Sequence, residues 1–316
     1  MHPLISVIMP VYEGEQYLDA ALASIRAQSL ADFELIAVDD GSTDRTGQIL
    51  ARHGREDPRV KPVRQDHLGL VAALNRALSS SAGAFVASMH ADDVARPERL
   101  EVQLAWLRAR PSVALIGSAY DLLARDGRVV KTMHPPTDPQ AIREMLPERN
   151  CFAHPTVMFR RDAVLAIGGY RAAYPHSEDY DLWLRLSETA ELANLSQVLL
   201  SYRLHSRSVS ATHCEQLVMS ELGAIEAARR RRRGEADPTP AEAVAARPWL
   251  RSLGIEDREI DRRVRRHALR WARLMRRAGE RDAARRLVSV ARSFIGPADG
   301  PRDRLDFRLR TLKAWI

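Results

Sequence analysis

Phe33-Glu-Leu-Ile-Ala-Val38 runs straight into Asp39-Asp-Gly-Ser-Thr-Asp44. Five of the first six residues are apolar and there is no polar alternation, the pattern of a strand buried on both faces. The Asp-Gly-Ser cluster behind them reads as the turn that ends it. The same design recurs on either side. Ile5-Ser-Val-Ile-Met9 is a short apolar run stopped at Pro10, and Phe85-Val-Ala-Ser-Met89 leads into His90-Ala-Asp-Asp93. A further short strand is expected over Arg59–Val63. Between these runs, Tyr17, Leu18, Ala21, Leu22 and Ile25 are spaced as one face of a helix over residues 15–27. Thr43–Arg52 also reads as helical, and Leu70, Leu74, Ala77 and Leu78 mark a third helix. Strand and helix alternate through four strands, which implies parallel pairing with right-handed crossovers.

A sheet of this kind takes its ligand at the carboxyl ends of its strands. Tyr12, Asp39-Asp40 and Asp92-Asp93 all fall just beyond expected strand ends. Two acid pairs at one sheet edge suggest a site for a cation, or for a sugar and base. Past residue 97 the pattern becomes mixed. A helix is expected over Pro97–Arg108, a strand over Val113–Gly117, and short strands at Val129-Val130 and Val157–Phe159. A helix follows over Glu178–Leu186, then an edge strand over Val198–Leu204, and Ala- and Arg-rich helices from about residue 215. Asp237-Pro-Thr-Pro240 and Arg247-Pro248 interrupt those helices. No repeat of fixed period is present.

Three clusters carry chemistry. Adjacent carboxylates at Asp92 and Asp93 repel unless a cation sits beside them. Their hard oxygens suit Mg²⁺ or Mn²⁺, with a substrate diphosphate filling the remaining positions. The plain alternative is a solvated turn capping the helix near Pro97. In the second cluster, a carboxylate at Asp40 can accept from the N3–H of uracil or thymine or from a ribose hydroxyl, and Tyr12 can stack on the base. Equally, Ser42 or Thr43 caps the next helix and Tyr12 is half-buried filler. In the third, Ser177-Glu-Asp-Tyr-Asp-Leu-Trp-Leu-Arg185, Glu178 and Asp179 sit in a first helical turn, where the helix dipole favours negative charge. A carboxylate there, facing a cleft, is also placed to take a proton from an acceptor hydroxyl.

These clusters, in this order, resemble the family 2 glycosyltransferases of the GT-A fold. The resemblance rests on Ile5-Ser-Val-Ile-Met-Pro-Val-Tyr12, Asp39-Asp-Gly-Ser-Thr-Asp44, Gly69 with Leu74-Asn75, and Ala91-Asp-Asp-Val-Ala-Arg-Pro-Glu-Arg-Leu100. It is carried further by His154-Pro-Thr-Val-Met-Phe-Arg160, Glu178-Asp-Tyr-Asp-Leu-Trp-Leu-Arg185 and Tyr202-Arg-Leu-His205, so it covers roughly residues 4–210. It implies an α/β fold of the GT-A, Rossmann-like type: a mostly parallel central sheet with helices on both faces. Residues 1–214 would form that catalytic domain and residues 215–316 a basic helical extension. It also implies inverting transfer of one sugar from a nucleoside-diphosphate sugar, UDP or dTDP favoured, to an acceptor hydroxyl on a glycan or lipid-linked acceptor in bacterial surface polysaccharide or glycolipid assembly. Carried onto this chain, Pro10, Tyr12, Asp39, Asp40 and Asp92 would bind the nucleotide. Asp92 and Asp93, with His205, would hold Mn²⁺ or Mg²⁺, and Asp179 would be the general base. His90, His154, Glu178 and Arg207 would touch diphosphate or acceptor. One departure stands out. Many members read Asp-x-Asp-Asp where this chain has His90-Ala-Asp-Asp93, and a histidine brings no fixed charge.

The bulk properties fit. In 316 residues with 45% hydrophobic content there is material for one large α/β domain and a helical annex. No apolar stretch approaches ~20 residues, so no membrane span is expected, and Met1–Met9 does not read as a signal peptide. A cytoplasmic location follows, with peripheral contact at the inner face of the membrane as an addition. Cys151 and Cys214 form no metal or disulfide pattern. The net charge of +7 is uneven: residues 217–316 hold 25 Lys and Arg against 14 Asp and Glu, which leaves the first two thirds acidic. Arg229–Arg233 is five arginines in a row. Ile260, Val264, Ala268, Trp271 and Met275 form an apolar stripe, and Leu287, Val290, Ala291 and Phe294 another. Helices packed on the domain with a solvated Arg face are one reading, and attachment to an anionic membrane is the other. Nucleic acid is disfavoured, because the tail lacks interleaved aromatics and the cleft half is acidic. A catalytically weak nucleotide-sugar binder of the same fold remains an alternative. A dinucleotide oxidoreductase is opposed by Pro10-Val-Tyr-Glu-Gly-Glu15, which is no Gly-x-Gly-x-x-Gly turn.

Overall fold

The computed structural model describes residues 2–240 and 244–295, with 307 and 311. β1 (Ile5–Val11), α1 (Leu18–Arg26), β2 (Phe33–Asp40), α2 (Thr46–Glu56), β3 (Val60–Gln65), α3 (Leu70–Ser80) and β4 (Phe85–Ser88) alternate without exception. Next come β5 (Val94–Ala95), α4 (Arg99–Arg108), β6 (Val113–Leu123), β7 (Val129–Met133), α5 (Pro139–Met145), β8 (Met158–Arg160), α6 (Arg161–Ala166), α7 (Glu178–Leu186) and β9 (Glu191–Arg203). The helices α8 (Val209–Thr212), α9 (Cys214–Arg232), α10 (Arg247–Ser252), α11 (Asp257–Arg277) and α12 (Arg281–Ser293) follow.

The strands form one mixed sheet in the order β3-β2-β1-β4-β8-β6-β9-β5, with β7 paired to β6. β3, β2, β1 and β4 are parallel, as the alternation predicts. β8 runs antiparallel to both β4 and β6. All eight residues of β2 are buried, and all of β1 except Pro10, which is why these strands read as unbroken apolar runs. α1 buries Leu18, Ala21, Leu22 and Ile25, and α3 buries Ala73, Leu74, Ala77 and Leu78. Each fully buried Leu or Ile stabilises the fold by about 1.5–3 kcal/mol.

Three of the boundaries that differ from the sequence expectation have a packing reason. β2 continues through Asp39 and Asp40, which pair in register with Arg64 and Gln65 of β3, so these acids end the strand and do not follow it. β6 does not stop at Gly117. A Cβ there would lie 2.2 Å from Asn194 Oδ1, so the glycine permits close approach of β9 and marks no turn. β9 is 13 residues long and lies between β6 and β5, so it is an interior strand rather than an edge. Its buried Leu192-Ala-Asn194 and Leu199-Leu-Ser201 segments require neighbours on both sides.

The chain divides into two compact units. The first comprises Met1–Asp121, Thr132–Ala172 and Asp179–Tyr202, and the second Leu122–Lys131, Ala173–Glu178 and Arg203–Ile316. The second unit therefore includes short segments well before residue 214. Ala245 N–H donates to Ala173 O (2.8 Å), Ser177 Oγ–H to Leu217 O (3.2 Å) and Arg128 Nη2 to Arg277 O (3.0 Å). Within this unit, α11 packs on α12 and α9. α11 buries Ile260, Val264, Ala268 and Met275, and α12 buries Leu287 and Ala291. Most of both apolar stripes is thus taken up by protein, with Trp271, Val290 and Phe294 half-buried. The arginine run is laced with acids: Arg230 meets Glu226 (3.3 Å), Arg231 meets Asp237 (2.8 Å) and Arg233 meets Glu235 (2.5 Å). Among the described residues no helix is long and apolar enough to cross a membrane. Cys151 and Cys214 are buried free thiols, each pushed up to about 11 by that burial, which makes them inert structural groups.

Candidate active site

β4 ends one strand away from β1 and two from β2, so all three carboxyl ends meet at one edge. Met89 N–H donates to Ile8 O (3.0 Å), which extends the β1 register past the end of β4 and sets His90 beside Pro10. Beyond it, one ligating atom each from His90, Asp92 and Asp93 lies within 4.8 Å of the others. Asp93 is only 1% exposed, and Glu98 occupies the position before α4. Asp93 is therefore not solvated, Asp92 sits half-buried in the turn before it, and neither acid is the cap of α4. Burial, which outweighs Asp92, holds the His90 imidazole below its ordinary pKa, and Arg99 lowers it further. A neutral imidazole keeps a lone pair for a cation. Two carboxylates and an imidazole, close enough to share one ion, fit Mn²⁺ or Mg²⁺ as a donor set.

A fully buried arginine underlies this cluster, and the sequence reading gave it no role. Arg99 Nη2 donates to Ser88 O (2.7 Å) and Val157 O (3.2 Å), and its Nε donates to Gln103 Oε1 (3.1 Å). Burial pulls its pKa down to about 9 while Asp93 opposes the shift. This cation offsets part of the electrostatic cost of burying the acids.

In α7, neighbouring acids have separate fates. Asp181 is fully buried and paired with Arg171 and with Arg185 (3.0 Å), and Arg185 also donates to Ile167 O and Gly169 O. It is a structural acid. Glu178 is 3% exposed. Asp179 is half-buried and accepts from Tyr180 N–H (2.7 Å) and Asn150 Nδ2 (3.3 Å). Burial outweighs these hydrogen bonds and raises its pKa to about 6, a value suited to a base working near neutrality. His154 is 6% exposed, shares a hydrogen bond with Tyr170 Oη (3.0 Å) and stands edge-on to His90 with ring centroids 5.3 Å apart. Burial first, then His90, holds its imidazole well below the ordinary range, so it is neutral.

At the end of β2, Asp39 is committed inward: it accepts from Ser42 N–H (2.9 Å) and pairs with Arg64 (2.8 Å). Asp40 accepts from Gln65 Nε2 (2.7 Å), Leu68 N–H (2.9 Å) and Gly69 N–H (2.9 Å). Tyr12, just past β1, is 52% exposed and stacks on His67. Pro10 lies within β1, paired in register with Val38.

Tyr202 was quoted in the sequence motif without a role. β5 pairs antiparallel with β9, Val94 opposite Ser201 and Ala95 opposite Leu200. Continued by one residue, that register sets Tyr202 opposite Asp93. Its ring lies 6.2 Å from that of Tyr120, which is on β6. Burial, followed by the charges of Asp93, Asp92 and Asp179, raises the Tyr202 hydroxyl well above its ordinary pKa. The β5–β9 register thus sets Tyr202 beside the carboxylate–imidazole cluster. His205 and Arg207 follow β9 in the second unit, His205 half-buried and Arg207 exposed.

His90, Asp92 and Asp93 thus form a carboxylate–imidazole cluster at the carboxyl edge of the parallel strands. Residues 6–168 match Glycosyl transferase family 2, and the chain belongs to that family; it is a glycosyltransferase of the GT-A fold. The O-antigen biosynthesis glycosyltransferase WbnJ of Escherichia coli is 37% identical over 209 residues, 65% of this chain and 81% of that one. The amylovoran biosynthesis glycosyltransferase AmsE of Erwinia amylovora is 31% identical over 223 residues, 69% and 83% of the two chains. Among solved structures, the mannosyltransferase PcManGT of Pyrobaculum calidifontis, in complex with GDP-Man and Mn²⁺, aligns with TM-score 0.59 at 18% identity. That alignment covers 100% of this chain and 81% of that one. S. aureus TarS 1–349 in complex with UDP-GlcNAc aligns with TM-score 0.57 at 18% identity, over 93% and 91% of the two chains. These two likenesses concern the fold.

Proposed function

We propose that this glycosyltransferase moves one sugar from a nucleoside-diphosphate sugar, UDP or dTDP favoured, to an acceptor hydroxyl with inversion. The names of WbnJ and AmsE support a place in bacterial surface polysaccharide or glycolipid assembly. Tyr12 and Asp40 take the nucleobase, with Asp39 and Pro10 shaping that end, and Asp92 reaches towards the ribose. His90, Asp92 and Asp93 hold the divalent ion. His154 is assigned to the acceptor side. Residues 1–214 act as the catalytic domain and 215–316 as a basic annex. That annex meets an anionic membrane surface through its arginines, since most of both stripes is already buried. Flotation with phosphatidylglycerol vesicles, absent with phosphatidylcholine alone, tests this last point.

Asp179 accepts the acceptor's proton as that oxygen bonds to the anomeric carbon. The bond from that carbon to the diphosphate oxygen breaks, and the electron pair leaves with the diphosphate. A bound divalent ion supplies positive charge to the leaving diphosphate. Tyr202 lines the space between cluster and base. The observation that supports the reading is the cluster of His90, Asp92 and Asp93 past the end of β4, with one ligating atom from each within 4.8 Å of the others. A thermal-shift screen with UDP, dTDP, GDP and CMP, each with and without MnCl₂, tests it. The expected result is a Mn²⁺-dependent rise with a uridine or thymidine diphosphate. No shift with any of the four defeats it.

A further inference from the structure

We propose that His67 is a built-in occupant of the nucleobase subsite, which the base of a nucleoside diphosphate must turn out in order to bind. The inference rests on the nucleotide-sugar reading above. It comes from two contacts made by one ring. The His67 imidazole stacks on Tyr12 with centroids 4.1 Å apart and planes 25° from parallel. Its Nδ1 lies 3.0 Å from a carboxylate oxygen of Asp40 and 3.0 Å from the Asp40 carbonyl oxygen. Both neighbours are acceptors, so Nδ1 carries a proton whatever the charge of the ring. His67 is therefore a flat nitrogen heterocycle that stacks on Tyr12 and donates N–H to Asp40. A uracil or thymine with its N3–H would make the same pair of contacts.

The two cannot share this face of Tyr12 and the Asp40 carboxylate together. A third ring between Tyr12 and His67 needs about 7 Å, two contact distances of about 3.5 Å, and the rings are 4.1 Å apart. The backbone beneath is fixed. Gly41 has φ +78°, and a Cβ there would lie 2.8 Å from His67 N, so only glycine allows the strand-end turn and residue 67 to approach this closely. Leu68 N–H and Gly69 N–H both donate to the Asp40 carboxylate. The side chain of His67 is by contrast 56% exposed. The ring leaves by rotation about its own side-chain bonds while the loop and Asp40 stay in place. Because only the fraction of molecules with the ring turned out accepts a base, the apparent affinity is reduced by that fraction.

Titration calorimetry of UDP with MnCl₂ into wild type, His67→Ala, Tyr12→Ala and the double variant tests this, with His67→Ser as a second small side chain. His67→Ala and His67→Ser should bind UDP roughly three- to tenfold more tightly, the range of an aromatic pair. The gain should shrink in the Tyr12→Ala background, where the ring has nothing to stack on. Equal affinity in wild type and both His67 variants overturns the inference, and so does weaker binding, which would make His67 a holder of the base. Either of those results leaves the nucleotide-sugar reading intact. If no variant binds UDP, dTDP, GDP or CMP, that reading falls and takes the inference with it.

Discussion

Replacing Asp179 by Asn removes a proton acceptor while keeping size and hydrogen-bonding shape. With its carboxyl at about 6, the side chain is ionised in about 97% of molecules near pH 7.5 and about 9% near pH 5. Turnover of the wild type should therefore fall towards acid with a midpoint near 6. A positioned base contributes about 10²–10⁴ in rate, so Asp179→Asn should lose about 2.7–5.5 kcal/mol of transition-state stabilisation and its residual rate should lack the acid limb. Stability should move the other way. The folded-state pKa lies above the ordinary 3.8. The contribution of this group to stability is thus complete below about pH 4 and lost as pH rises through 6. Asn stays neutral, so the variant should gain stability near pH 7.5, at most about 3 kcal/mol, and gain little near pH 4. Coupled release of nucleoside diphosphate measures the first effect and urea midpoints at the two pH values the second. Full turnover in the variant refutes the base assignment. Joint loss of stability, nucleotide binding and turnover would make Asp179 a structural acid.

Asp93→Asn should weaken Mn²⁺ binding by at least about tenfold, read by the free-ion signal in electron paramagnetic resonance; unchanged binding removes Asp93 as a ligand. Arg99→Met takes one donor from Ser88 O and one from Val157 O, which keeps the Ser88 N–H (3.0 Å), and removes a cation from beside Asp93. It should cost about 3–5 kcal/mol in urea unfolding, and a loss under 1 kcal/mol would show that the buried charge is dispensable. Tyr202→Ala should lower kcat/KM about ten- to hundredfold with UDP affinity unchanged, whereas Tyr202→Phe keeps the ring and most of the rate. Normal kinetics in Tyr202→Ala would place the residue outside the site.

The parallel half of the sheet was readable because strands buried on both faces leave an unbroken apolar record, as in β1 and β2. α7 falls on Glu178–Leu186 as expected, although every residue of it except Asp179 is buried. The acids after β4 were visible because no structural need explains them. What stayed hidden depends on pairings between distant residues. The β5–β9 ladder joins residues more than a hundred positions apart through a two-residue strand, so the facing of Tyr202 and Asp93 leaves no local trace. Arg99 sits in an otherwise ordinary helix start, and nothing in Pro97-Glu-Arg-Leu100 tells a buried arginine from a solvated one. The Tyr12–His67 stack likewise arises only where two separate loops meet at the sheet edge.

The guanidinium of Arg99 spans Ser88 O, at the last residue of β4, and Val157 O, on the segment leading into β8. It works as a rivet under the turn that carries His90, Asp92 and Asp93. A turn fastened in this way keeps its shape whether or not an ion has arrived. An ion taken up by this turn would then find its three donors already in place, with no rearrangement of the polypeptide needed before it binds.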